Sequence, residues 1–275
     1  MALLRYRIDV FSVAAVALTV ALQVAAVVRG WPWWTLAPII VGCRQSALVQ
    51  HNHAHLRIFS KNAWNELLGD LAACAMGVPL VFYEVHHVMN HHRHYRDHEG
   101  DADWSSPYGY RGCRYPDRPV ARWYYIAMFP VTSNFACSLF VVRHPGTHFF
   151  RRATRTLLVM FVLAGMLAWF DPPRTLVFVL LPWLIVSLGL GANSYDGHVG
   201  CALEAEETSA NSCLGLHCRW LGYNIGFHVA HHIDPRLHWS LLPRLHAQVF
   251  RDRPPPALRN WGLFGVVHAT EKKTG

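Results

Sequence analysis

The chain has 275 residues, of which 52% are hydrophobic and 15% are charged, and its formal net charge is +8. Soluble domains carry roughly 25% charged residues, and disordered chains combine low hydrophobicity with high charge. The composition therefore excludes a disordered chain, argues against an ordinary soluble domain and indicates a membrane protein. A second departure from the average is the 19 histidines, which outnumber the 17 aspartates and glutamates.

The first apolar run, residues 8–28, follows two basic residues, Arg5 and Arg7. A helix of this length rises about 1.5 Å per residue and spans roughly 30 Å, the thickness of the hydrocarbon layer of a bilayer. The run is longer than the core of a typical signal peptide and lacks a clear small-residue cleavage site. We therefore expect a retained transmembrane helix.

Four further apolar stretches follow, at 35–50, 67–83, 123–142 and 156–193. The last is interrupted by Asp171-Pro172-Pro173-Arg174, a turn that divides it into two helices. The first two runs turn at residues 29–34, whose tryptophans suit the aromatic belt of a membrane interface. The prediction is an all-α integral membrane protein with four transmembrane helices in two hairpins, at 8–28, 35–50, 156–170 and 175–193.

The basic residues predict the orientation of these spans. Of the 25 Lys and Arg residues, only Arg29 and Arg174 lie in the turns opposite the termini. Since cytoplasmic segments are enriched in basic residues, both termini are predicted to be cytoplasmic, with a helical cap formed by 51–155 and 194–275 of a single domain, 1–275. This distribution explains the positive charge without nucleic acid as a partner.

The stretches 67–83 and 123–142 would then not cross the membrane. The first contains the charged Asp70, and the second contains Pro130 and the polar Asn134. We expect interfacial or re-entrant helices that pack on the cap.

The seven cysteines (Cys43, Cys74, Cys113, Cys137, Cys201, Cys213 and Cys218) form no C-x-x-C pair. An odd, scattered set in an apolar chain predicts reduced thiols in a reducing compartment. A disulfide or metal role for Cys213 and Cys218, the closest pair, is the alternative.

Most of the histidines fall into three boxes, at 51–55, 86–94 and 228–232. Side chains at positions i and i+4 share a helix face, so His51 and His55 project together. The same holds for His87 and His91, with His92 one step round the helix. His53 and His94 lie two positions from box members and are expected to point away.

In the third box, His228, His231 and His232 lie at positions i, i+3 and i+4. Imidazoles from several helices can surround one or two metal ions, and imidazole suits iron, zinc, copper and nickel. Under the predicted topology all three boxes lie at the same membrane face, which favours a metal centre over separate surface patches.

These boxes, in this order and at these spacings, resemble those of the membrane fatty acid desaturase and hydroxylase superfamily. The resemblance covers roughly 35–250 and includes Asn90 in the second box, the Gly100-Asp101-Ala102-Asp103 that follows it, and residues 224–228 leading into the third. It implies a non-haem centre of two Fe ions, with O2 as co-substrate. The implied ligands are His51, His55, His87, His91, His92, His228, His231 and His232.

The family usually adds one histidine between the last span and the third box, near an asparagine. The candidate is His198, which follows Asn193 with a spacing one residue longer than the usual N-x3-H pattern. His217 is the alternative.

The resemblance implies an acyl-chain lipid or acyl thioester as substrate, and an oxidoreductase that inserts a carbon–carbon double bond. The sequence contains no cytochrome b5-like domain and no G-x-G-x-x-G nucleotide motif, so electrons are expected from a separate ferredoxin, rubredoxin or cytochrome b5. A hydroxylase, acetylenase or carotenoid oxygenase on the same scaffold stays open. A histidine-rich metal transporter is a remote alternative, because it predicts more polar residues inside the spans.

Two further groups of residues are candidates around the site. Metal-bound histidines usually donate their other ring N–H to an acceptor, and the candidate acceptors are Asp101, Asp103, Asp196 and Asp234. Arginines of the cap could meet a substrate phosphate or face anionic lipid: Arg111, Arg114, Arg118, Arg122, Arg251 and Arg253.

Overall fold

The computed structural model describes residues 3–96, 103–108, 119–201, 204–215, 218–219 and 221–251, and the backbone of 260–261 and 267–268. Its helices are α1 Asp9–Val28, α2 Leu36–His55, α3 Asn62–Met76, α4 Leu80–His94, α5 Arg122–Arg143, α6 His148–Phe170, α7 Pro172–His198, α8 His228–Ile233 and α9 Leu242–Val249. Short 3₁₀ turns lie at Trp33–Thr35, Glu206–Thr208 and Trp239–Leu241. Two strands of two residues each, β1 Asn260–Trp261 and β2 Val267–His268, pair antiparallel. The predicted all-α class is confirmed.

Within the part of the chain that the structure describes, four helices are long and apolar enough to cross a membrane, namely α1, α5, α6 and α7. They carry exposed apolar side chains that suit contact with lipid, among them Phe11, Val131, Phe135, Leu158, Phe161, Trp169 and Leu184. The number of these helices agrees with the sequence analysis, but their identity differs at one position. Helix α5 is long and apolar enough to span, whereas α2, which contains the expected span 35–50, is not among the four. The reason is that α2 continues into the first histidine box, whose polar residues lower its mean hydropathy. Topology across the membrane stays a prediction.

Helices α3 and α4 are together apolar enough to span, but they meet at a bend of 92°. This bend lies within 67–83, the stretch expected to be interfacial or re-entrant. Gly77 ends α3 with φ +84°, and a Cβ at this position would lie 2.6 Å from the Trp183 ring. The Gln50 amide donates to the Val78 carbonyl at 2.6 Å, so the backbone at the bend has a buried partner.

The chain divides into two compact units. The first comprises residues 1–86 and 130–189, and the second comprises 87–129 and 190–275. Whether 1–275 folds as a single domain stays a prediction.

In the first unit, α1, α2 and α3 pack against one another, and α6 packs on α3. The Gln23 side chain, buried in α1, donates to the Ala75 carbonyl of α3 at 3.2 Å. The Trp183 indole N–H donates to the Cys74 carbonyl at 2.9 Å. Polar side chains thus tie apolar helices together at buried points, where an unpartnered donor would be costly.

A partly buried network of charges also lies in the first unit. Arg152, with 15% of its side chain exposed, donates to Glu84 at 2.6 Å and to Glu66 at 2.8 Å. Arg57 is also paired with Glu84, and Arg155 bridges Glu66 and another acid of α3. Each buried charge therefore has an opposite charge beside it, which is the condition under which such charges are tolerated.

In the second unit, the first turns of α5 pack against the last turns of α7. Tyr125, Phe129 and Tyr195 form a buried aromatic cluster, and the Tyr125 hydroxyl donates to the Ser105 carbonyl at 2.8 Å. Gly191 lets these helices approach, because a Cβ there would lie 2.9 Å from Phe129. This packing brings the loop at 103–108 beside the C-terminal end of α7.

The cysteines that the structure describes are free thiols, as the sequence analysis expected. Cys213 and Cys218 are buried and pack together.

Candidate metal centre

The second histidine box lies on a widened helical segment. Within α4, residues Glu84–His91 form a π-helix, and one ordinary α-turn follows at His92–His94. A π-helix bonds residue i to i+5, so side chains five positions apart meet on one face. His87 and His92 have this separation, and their Nε2 atoms lie 3.1 Å apart.

The first cluster in the second unit contains His87, His92 and His231. The His92 Nε2 lies 3.0 Å from the His231 Nε2 of α8, and the His87 and His231 rings are parallel to within 3°. Two nitrogens at right angles around an ion with metal–nitrogen bonds of about 2.1 Å lie about 3.0 Å apart. The observed separations therefore fit nitrogens that converge on one metal position.

The second cluster contains His91, His198 and His232, whose candidate ligand atoms all lie within 4.8 Å of one another. All three histidines are buried. His228 joins this cluster, since its Nε2 lies 3.1 Å from the Nε2 of His232. The second unit thus brings together seven of the nine predicted ligands in two adjacent sets.

A buried carboxylate orients one of these imidazoles. His91 Nδ1 lies 3.1 and 3.2 Å from the two Asp103 oxygens, and both side chains are nearly inaccessible. Burial alone would raise the pKa of Asp103, but the adjacent His91 and the Ser105 N–H hold this pKa below its ordinary value. An ionised Asp103 accepts from His91 Nδ1–H and leaves Nε2 for a metal.

The other aspartates singled out in the sequence have different partners. Asp196 accepts two hydrogen bonds from Arg122, at 2.8 and 2.7 Å, and Asp234 accepts from the Arg236 N–H. Asp101 lies outside the described residues, as do Arg111, Arg114, Arg118 and Arg253. Arg122 is therefore engaged within the protein, although the sequence analysis considered it for a substrate phosphate.

Burial and neighbouring imidazoles keep His232 of the third box neutral. The pKa of His232 lies well below its ordinary value. Burial is the largest cause, and the neighbouring imidazoles lower this pKa further, namely those of His228, His92, His198 and His91. A neutral imidazole has a free lone pair, which a metal ligand requires. His232 is therefore in the protonation state that can bind a cation.

In the first unit, His51 and His55 lie on one face of α2, with ring centroids 5.1 Å apart. His53 faces elsewhere and is buried. Its Nε2–H donates to the Asn65 carbonyl at 3.1 Å, and its Nδ1 accepts from the Ile58 N–H at 3.3 Å. His53 is thus a structural residue, as its position in the box predicts.

His198 joins the buried cluster despite its unusual distance from Asn193, and its Nδ1 lies 3.3 Å from the Ser209 carbonyl. His217, the alternative ligand, lies outside the described residues. Sequence reasoning missed Ser209 and also Tyr95, whose ring packs on His232 with centroids 4.3 Å apart. Tyr95 follows His91 by four positions, directly after the last residue of α4, so helical spacing could have indicated it.

The donor set of both clusters is imidazole alone, which suits iron, zinc, copper or nickel. The described residues therefore fit a bound transition metal. Together with the four apolar helices, they define a helical membrane protein with histidine clusters that could hold metal ions.

The model of the family described as fatty acid desaturase matches residues 29–262, and the chain belongs to this family. Membership implies oxidoreductase activity and a lipid or acyl substrate. A search of curated proteins and a search of solved structures found no match.

Proposed function

We propose that the protein is an O2-dependent membrane desaturase that inserts a carbon–carbon double bond into an acyl chain. The observation that carries this proposal is the pair of adjacent imidazole clusters in the second unit, which share the widened segment of α4. Two adjacent all-nitrogen clusters suit two metal ions better than one.

The proposed ligands of two Fe ions are His51, His55, His87, His91, His92, His198, His228, His231 and His232. Bound iron would supply the activation of dioxygen that removal of hydrogen from an unactivated methylene requires. We include His51 and His55 because of the spacing of the first box and the family pattern. We include His198 because its ring lies beside those of His91 and His232.

The protein's own residues would orient the ligands and hold the substrate. Asp103 accepts from His91 and keeps that ring in one orientation and one tautomer. Burial of His91, His198, His228 and His232 would limit the access of water to the metal position of that cluster. Positioning one methylene of an acyl chain beside the metals would then account for selectivity along the chain.

We further propose an integral, multi-pass membrane location with the histidine boxes and both termini on the cytoplasmic side. The excess of basic residues outside the turns at Arg29 and Arg174 supports this orientation. Electrons would come from a separate ferredoxin, rubredoxin or cytochrome b5.

The first experiment is metal stoichiometry of the detergent-purified protein, with His231→Ala and His92→Ala beside it. We expect about two metal ions per chain in the unmodified protein and a loss in both variants. The matched control is His144→Ala. His144 is exposed, and its Nδ1–H donates to the Phe140 carbonyl at 2.7 Å. One metal or none in the unmodified protein would contradict a dinuclear centre.

Product analysis follows on membranes supplied with an acyl substrate, a reductant and oxygen. A new alkene that the His231→Ala variant does not form would support desaturation. An alcohol, an alkyne or a ketone instead would assign the protein to a hydroxylase, an acetylenase or a carotenoid oxygenase.

A further inference from the structure

The C-terminal end of α7 carries His198 as its last residue. A helix leaves its last carbonyls without partners inside the helix, so each buried one needs a donor from elsewhere. Here the Tyr195 carbonyl accepts from the Val199 N–H at 2.9 Å, and the His198 carbonyl accepts from the Cys201 N–H at 3.3 Å.

Asn211 supplies donors to the other carbonyls of this turn. Its side-chain Nδ2 donates to the Asp196 carbonyl at 2.8 Å and to the Val199 carbonyl at 3.0 Å. Its backbone N–H donates to the Gly197 carbonyl at 2.8 Å. Asn211 is only 8% exposed, so water does not compete effectively for these bonds.

One residue therefore binds the backbone on both sides of His198. The same segment also holds the ring, because the Ser209 carbonyl lies 3.3 Å from His198 Nδ1 and accepts its hydrogen. With Nδ1 protonated, Nε2 carries the lone pair and is the atom free to bind a metal. The Asp196 side chain takes no part in this arrangement, since it is bound to Arg122.

We propose that Asn211 is a positioning residue of the metal centre that acts through His198. It holds the end of α7 in the one conformation that brings His198 beside His91 and His232. The proposal rests on the proposed function to the extent that these histidines bind a metal ion.

The test is a Co2+ titration of the metal-free protein, with visible absorption as the readout and a chelator as competitor. In Asn211→Ala we expect the ion bound by the cluster of His91, His198, His228 and His232 to bind about tenfold more weakly or worse. Asn134→Ala is the matched control, because the Asn134 amide also donates to a helix carbonyl, that of Pro130 at 2.6 Å. This control should bind Co2+ like the unmodified protein.

A double-mutant cycle separates positioning from general stabilisation. If Asn211 acts through His198, then Asn211→Ala in a His198→Ala background should change the affinity by less than about twofold. Equal weakening in both backgrounds, or no weakening in the unmodified background, would overturn the proposal. Asn211→Ser, whose hydroxyl can donate to one of the two carbonyls, gives an intermediate affinity if the alanine variant does not fold.

The outcome also distinguishes this inference from the proposed function. If the unmodified protein binds two Co2+ ions and Asn211→Ala binds them as tightly, only the role of Asn211 fails. If the unmodified protein binds none, the proposed metal centre and the positioning role fail together.

Discussion

Replacing Asp103 with asparagine tests whether a buried carboxylate orients His91. The two side chains are 4% and 2% exposed, and the His91 Nδ1 lies 3.1 Å from Asp103 Oδ1. Asparagine keeps the size of the side chain and can still accept from the Ser105 N–H, which lies 2.8 Å from Oδ1. The variant therefore removes the negative charge with little change in packing.

The expected magnitude follows from the kind of hydrogen bond that is lost. A hydrogen bond to a charged group contributes about 1.5–3 kcal/mol, and one between neutral groups contributes about 0.5–1.5 kcal/mol. The difference is about 1–1.5 kcal/mol, and a tenfold change in affinity corresponds to about 1.4 kcal/mol. Asp103→Asn should therefore weaken metal binding at the His91 cluster by roughly five- to tenfold.

The assay is metal competition against a chelator of known affinity, with detergent-purified protein. Asp234→Asn is the control, because Asp234 lies two positions after the third box but is exposed and accepts from the Arg236 N–H. This control should bind metal like the unmodified protein. Unchanged affinity in Asp103→Asn, or equal losses in both variants, would refute the orienting role of Asp103.

Three other substitutions test the architecture around the site. His53→Ala should leave the number of bound metal ions unchanged, which metal analysis checks. It should lower the free energy of unfolding by about 2 kcal/mol, which thermal unfolding checks, because two buried backbone groups lose their hydrogen-bond partner. Arg152→Met should lower the free energy of unfolding by about 3 kcal/mol, because the buried Glu84 and the partly buried Glu66 lose their shared cation. An unchanged unfolding midpoint would show that this network is dispensable. Gly77→Ala should lower the midpoint of thermal unfolding, because φ is +84° at this position and the new Cβ would lie 2.6 Å from the Trp183 ring. Gly165→Ala is the control and should not lower this midpoint, because there is open space around Gly165.

Local sequence patterns were sufficient for the class of the protein. Long apolar runs predict helices that cross a membrane, because they are the length of a bilayer whatever they pack against. The spacing of the three boxes predicts which histidines share a helix face. It also predicts that His53 points away from the other two histidines of its box, and in the structure His53 is buried against the backbone. The family model matches residues 29–262, a range that contains all three boxes.

The choice of spans could not be decided by apolar runs alone. Helix α2 is apolar over 35–50, yet it extends without a break to His55 and so carries polar residues of the first box. Helix α5 contains Pro130 and still continues to Arg143. Whether such a helix spans or lies in the cap depends on the neighbours that cover its polar residues, which the sequence does not contain.

The sequence by itself determined that the chain is an all-helical membrane protein with histidine boxes, since these properties depend on residues a few positions apart. Only the tertiary structure decided how the imidazoles combine. The π-helical segment brings His92 Nε2 to 3.1 Å from His87 Nε2, a pair that ordinary helical spacing does not predict, and His91 lies against Asp103. Of the three candidate carboxylates that the structure describes, Asp103, Asp196 and Asp234, it places Asp103 against a predicted ligand. These choices depend on contacts between distant segments, and their energies are set by burial that no local pattern records.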